Sequence, residues 1–76
     1  METRLDLLEP GQQARVELMG VSPDFRERLR DFGLIPGTAV CCRCKSPWRD
    51  LTALEFRGTV VALRTRDLAG IRVCRG

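Results

Sequence analysis

Apolar and polar residues alternate over most of this chain. From Ala14 to Met19, the residues Ala14, Val16 and Leu18 alternate with Arg15, Glu17 and Met19, the period of two that turns one face of a strand inward and the other to water. The same alternation runs from Thr38 to Lys45, where Val40, Cys42 and Cys44 share one face opposite Ala39, Cys41 and Arg43, and Val40 marks the buried side. Thr52 to Phe56 puts Leu54 and Phe56 on one side, Arg57-Gly58 turns the chain, and Thr59 to Arg64 follows as the second arm of a hairpin. Asp67 to Gly70 reads as a short helical turn, and Ile71 to Arg75 alternates Ile71 and Val73 with Arg72 and Cys74 in a closing strand. One segment has a different period. Phe25, Leu29 and Phe32 recur at spacings of four and three, with Arg26, Glu27, Arg30 and Asp31 on the wetter sides, which predicts an amphipathic helix. Ser22 stands where a cap is needed, Pro23 where no amide partner is needed, and Asp24 where the helix dipole favours a carboxylate.

The stretch Arg28 to Thr38 joins the two periodicities. Gly33 sits where a helix ending in a left-handed residue wants no Cβ, and Pro36-Gly37 supplies a preset φ and then a positive φ for a type II turn. Gly33, Pro36 and Gly37 are therefore assigned structural turn roles. The pattern predicts a mainly β fold of about five short strands, with one helix between the first two and a short helical turn before the last. An open sheet of such strands would leave edges and apolar surface uncovered. Curling it into a small barrel lets Val16, Leu18, Val40, Leu54, Phe56, Val61, Leu63, Ile71 and Val73 meet, with Leu29 and Leu68 closing the ends.

Composition narrows the function. Seventy-six residues bound one small domain with room for a single core and little for a deep substrate cavity. Hydrophobic residues at 43% and charged residues at 30% belong to a globular chain rather than a disordered one. No apolar run approaches the roughly 20 residues of a membrane span. The opening Met1 to Asp6 lacks the basic start and apolar centre of a secretion signal, so a cytoplasmic location with reduced thiols is expected. The net charge of +3 is spread over 13 cations interleaved with 10 anions, without a basic block.

Against that background the chain resembles the ferrous-iron transport protein A family, FeoA. The anchors are Leu8-Glu9-Pro10-Gly11-Gln12 with Ala14-Arg15-Val16, then Arg28-Leu29, Phe32-Gly33-Leu34 and Pro36-Gly37-Thr38, then Ser46-Pro47, and finally Ala62-Leu63-Arg64, Leu68, Ile71 and Val73. The resemblance implies an SH3-like barrel and a non-catalytic cytoplasmic accessory of ferrous iron uptake. It also implies a partner, the nucleotide-binding cytoplasmic part of the FeoB membrane transporter, whose activity or assembly the accessory influences. The same barrel is similar to the C-terminal domain of some iron- and manganese-dependent repressors, so fold alone does not name the partner.

The residues themselves offer little reactive chemistry. With no histidine and no tyrosine, two common proton-transfer groups are missing, and no phosphate-binding Gly-x-x-x-x-Gly-Lys-Ser/Thr loop occurs. No enzyme and no cofactor are expected. Thiolates bind zinc and similar ions, but Cys41-Cys42-Arg43-Cys44 lacks the spacing of a zinc knuckle. By strand parity Cys42 and Cys44 are the alternative metal pair, and Cys42 otherwise fills the core as a small apolar residue. For partner binding the candidates are Phe25, Ile35 and Trp48, with Arg28, Arg30 and Arg64 as a charged rim. Helix packing is the competing role for Phe25, and covering the barrel end for Trp48. Two further functions stay open: a nucleic-acid-binding small barrel, for which four aromatic side chains are a poor supply of stacking platforms, and a thiol-based metal carrier or sensor. Nucleic acid is not the expected partner, and self-association through an exposed edge is possible on this reading.

Overall fold

The computed structural model describes residues 1–75. Six strands form one antiparallel sheet: β1 (Glu2–Arg4), β2 (Gln13–Met19), β3 (Ala39–Lys45), β4 (Leu51–Phe56), β5 (Thr59–Arg64) and β6 (Ile71–Cys74), in the order β1-β6-β2-β3-β4-β5. One α-helix, α1 (Pro23–Phe32), lies between β2 and β3, and 3₁₀ turns occupy Leu5–Leu7 and Thr65–Leu68. Two features correct the sequence reading. The strand count is six rather than five, because the three-residue β1 pairs with β6 and is too short to show a period. It also places the helix after the second strand. The ladder does not close into a ring, since β1 and β5 remain edges.

The helix ends follow the expected chemistry. The Ser22 Oγ accepts the Phe25 N–H at 3.3 Å, and Pro23 stands at the start of the helix. Gly33 has φ 94°, and the N–H groups of Gly33 and Leu34 donate to the carbonyls of Arg30 and Leu29, each at 2.9 Å. That is a Schellman ending, and the two residues whose apolar contact usually accompanies it, Leu29 and Leu34, are both fully buried in the core. Replacing Ser22 by alanine is expected to cost about 1 kcal/mol of stability, read as a lower denaturation midpoint with an unchanged slope.

The Pro36-Gly37 turn is cross-braced. Gly37 has φ 95°, the Thr38 N–H donates to the Ile35 carbonyl at 3.0 Å, and the Thr38 hydroxyl donates to the Gly33 carbonyl at 3.1 Å while accepting the Ile35 N–H at 3.3 Å. The turn also grips β2. Gly37 N–H donates to the Val16 carbonyl at 2.7 Å, and the Val16 N–H donates to the Thr38 carbonyl at 2.9 Å. Beyond Val16 the strand leaves β3 and continues along β6 alone, with a bulge between Val16 and Leu18. The extra residue reverses the parity of the strand end. Met19 is therefore buried, and Leu18, assigned to the core by simple alternation, is 60% exposed.

The core gathers Val16, Val40, Leu54, Phe56, Ile71 and Val73 from the sheet, Leu29 from the helix and Leu68 from the second 3₁₀ turn, as the alternation predicts. Val61 and Leu63 are partly buried against it. Leu5, Leu8 and Leu34 complete it, all fully buried, although each lies in a connection with no strand period. The chain's one lysine helps hold the first connection, since Lys45 Nζ donates to the Asp6 carbonyl at 2.9 Å.

Candidate interaction surface

The bulge in β2 and the turn after α1 create one apolar hollow. Leu18 and Met19 from β2, Leu34, Ile35 and Pro36 from the turn, and Arg26 and Arg30 from α1 line a depression of about 280 Å³. Leu18, Ile35 and Pro36 are its solvent-facing apolar groups, the first two at 60% and 37% exposure. Arg26 and Arg30 supply positive charge at the helix side. Arg26 is steadied by a 3.3 Å hydrogen bond to the Val21 carbonyl, and Arg30 reaches Glu27 only at 3.8 Å across exposed surface, a pair of little strength in water. Chemically, such an arrangement can accept an apolar side chain with acidic neighbours set against the guanidinium groups.

The structure sorts the sequence candidates by place. Ile35, Arg30 and Pro36 line this hollow, and Gly33 and Gly37 shape the turn that carries it without lining it. Phe25 is partly buried against the core, and the Arg28 guanidinium lies 6.0 Å from its ring centroid, so neither lines the hollow. Phe32, expected on the packed stripe, is 46% exposed because it falls in the last turn of the helix. Trp48 is 90% exposed and covers no end of the sheet. Leu18 was not among the sequence candidates, since only the bulge, which depends on hydrogen bonds from a distant turn, brings it outward.

Trp48 is carried on a tied loop, Ser46 to Asp50. The Arg49 and Leu51 N–H groups donate to the Ser46 carbonyl and hydroxyl at 2.8 and 3.0 Å, Ser46 Oγ bonds the Asp50 carboxylate, and Arg49 bonds Glu9. The Arg49 hydrogen bond holds the Glu9 carboxyl below its usual range, and the Ser46 hydroxyl does the same for Asp50. Lowered acid pKa values give stabilisation that is full above the ordinary carboxylate pKa and lost as pH falls through the lowered one. Protection of the Arg49 and Leu51 amides is therefore expected to fall below about pH 4 before the β4–β5 ladder loosens, as read by amide exchange.

The cysteines do not converge. A second bulge, between Cys42 and Cys44, pairs Cys42 with Leu54 and Cys44 with Ala53, so the two thiols sit on opposite faces. This corrects the expectation of a shared face. Cys42 is fully buried, as its core role predicts, and burial pushes its thiol pKa up; Cys44 is exposed. Among the described residues no group of three or more cysteine or acidic side chains is placed to hold a metal ion. Alkylation of the native protein is expected to label Cys44 readily and Cys42 only on unfolding, as checked by mass spectrometry of digests.

A model of the FeoA domain matches residues 3–75. The chain belongs to the FeoA family. Solved FeoA structures share its fold. The FeoA protein of Chlorobium tepidum is 27% identical with a TM-score of 0.91, over 96% of this chain and 70% of the other. The Stenotrophomonas maltophilia FeoA, an SH3 domain protein complexed with zinc, is 25% identical with a TM-score of 0.79, over 93% and 88% of the two chains. The fold also occurs in T. acidophilum IdeR, at 22% identity and a TM-score of 0.86, where 99% of this chain covers 34% of the other. No curated protein matches the chain by sequence. FeoA domains are small accessory domains linked to ferrous iron transport. Among the described residues of this FeoA chain, no helix is long and apolar enough to cross a membrane.

Proposed function

We propose that this FeoA chain is a non-catalytic cytoplasmic accessory of ferrous iron uptake that docks on the nucleotide-binding cytoplasmic part of a FeoB transporter and modulates its activity or assembly. The observation that carries the reading is the hollow around Leu18 and Ile35, an apolar site with two arginines beside it and no reactive side-chain constellation. A depression of about 280 Å³ admits one or two anchoring side chains, which fits a reversible contact of the transient class. The affinity then comes from an apolar anchor, and the arginines fix orientation against acidic partner side chains.

Purified chain mixed with the soluble nucleotide-binding domain of its own FeoB is expected to co-migrate in at least one nucleotide state and to change the rate of hydrolysis. Reproducible absence of association in the nucleotide-free, diphosphate and triphosphate states, with the full transporter equally inert, contradicts direct docking.

A further inference from the structure

We propose that the outer edge of β5 is a second docking site, which accepts an extended, acidic segment of a partner protein as an added strand. The hydrogen-bond pattern defines the open positions. The two-residue turn Arg57-Gly58, with φ 53° and 76°, makes Phe56 and Thr59 the closing hydrogen-bonded pair. Antiparallel alternation then turns the Leu54–Val61 and Thr52–Leu63 pairs toward each other. It leaves the N–H and C=O groups of Val60, Ala62 and Arg64 facing away from β4. The Thr65 N–H bond to the Asp50 carbonyl, 2.9 Å, continues the same phase. Val60, Ala62 and Arg64 are all exposed, and β5 ends the strand order.

Between Thr59 and Leu63 this edge lacks the usual guards. Its six-residue pairing with β4 runs without a bulge and β5 contains no proline, whereas protected edges are short, kinked or interrupted. On the outer face Ala62 lies opposite Ala53, itself opposite Cys44. Val60 and Leu51 on the same face are 57% and 43% exposed, apolar surface that a partner's side chain would cover.

Charge selects the occupant. Arg64 ends the strand and Arg66 follows it beside Leu51, and among the described residues neither forms an ion pair; the Arg57 side chain lies instead against Gly33 at the end of α1. The acidic groups nearby are occupied or displaced: Glu55 pairs with Arg43 at 3.1 Å, Asp50 is held by Ser46, and Asp67 lies in the following 3₁₀ turn. A second copy of this chain would double the arginines along one seam, so self-pairing is opposed and an acidic strand is favoured.

The test uses two capped synthetic octapeptides, each a Thr-Val-Thr-Val centre flanked by paired glutamates or by paired lysines, titrated into the full chain at low salt. The glutamate peptide is expected to raise protection of the Val60, Ala62 and Arg64 amides at least tenfold and to bind at least tenfold more tightly than the lysine peptide. Ala62→Pro removes an outward N–H and no ladder bond, so it is expected to keep the fold and lose at least tenfold in binding. The double variant Arg64→Glu, Arg66→Glu is expected to reverse the peptide preference, which decides the matter if the proline variant does not fold. Leu18→Glu is expected to leave peptide binding unchanged, separating this edge from the hollow of the proposed function. Equal binding of both peptides, no binding of either, undiminished binding to Ala62→Pro, or protection of these amides by protein concentration alone would overturn the proposal.

Discussion

Gly70→Ala is expected to lower stability by roughly 2–3 kcal/mol, the cost of forcing extra atoms into a space already filled by backbone, and to lower the melting temperature by about 10–20 °C for a domain of this size. The reason is backbone contact rather than backbone conformation. Gly20 and Gly70 follow the Met19–Ile71 pair at the end of the β2–β6 ladder, and the Gly20 N–H donates to the Gly70 carbonyl at 2.8 Å. A Cβ on Gly70 would overlap the Gly20 carbonyl oxygen and approach its carbon to 3.0 Å, and a Cβ on Gly20 would lie 2.8 Å from the Gly70 oxygen. Neither strand can retreat, because Met19 and Ile71 are anchored in the core. Gly37 is the contrasting case, with φ 95° and nothing within 4 Å of an added Cβ. Gly37→Ala is therefore expected to cost only about 1 kcal/mol, the left-handed penalty for a residue with a Cβ. Thermal melts of the two variants distinguish the mechanisms, and a Gly70→Ala protein as stable as the parent would refute the close-approach argument.

Leu18→Glu is expected to weaken association with the transporter's nucleotide-binding domain about 100-fold, roughly 2.7 kcal/mol, while leaving the melting temperature nearly unchanged. At 60% exposure the side chain contributes little to the core, and surface substitutions usually stay within about 0.5 kcal/mol. Its loss at an interface is larger because a carboxylate would replace the apolar wall of the hollow and oppose the acidic partner groups that Arg26 and Arg30 favour. Trp48→Ala, on a loop that does not line the hollow, is expected to change affinity less than twofold. Titration calorimetry reads both variants, and equal effects from both would contradict this assignment.

Local signals in the sequence were reliable where a residue acts on its own backbone. Ser22-Pro23 and Gly33 mark the helix because capping and a positive φ are properties of single residues and their neighbours. Pro36-Gly37 and Arg57-Gly58 mark turns for the same reason. Cys42 was legible as core because it shares parity with Val40. The bulges were not legible. One follows from Gly37 and Thr38 seizing the backbone of Val16, a contact between segments separated by the whole helix, and it turns Leu18 from a core residue into an exposed wall of the hollow. The other separates Cys42 from Cys44 and dissolves the apparent pair. Leu5 and Leu8 were missed because a 3₁₀ turn and its exit carry no two-residue period; the overlooked β1 accounts for the count of five strands, and closure followed from the cost of open edges, which the sheet in fact keeps at β1 and β5. Of the seven residues lining the hollow, Ile35 and Arg30 could be named as contacts, and Pro36 as a turn, from the chain alone. Leu18 needed the register.

The most direct measurement is the footprint of the FeoB nucleotide-binding domain on this chain, mapped by backbone amide shifts during titration. Shifts and broadening concentrated at Leu18, Arg26, Arg30, Leu34 and Ile35 are the expected result. A footprint centred on Trp48 and Arg49, with those five residues unmoved, would contradict docking through the hollow.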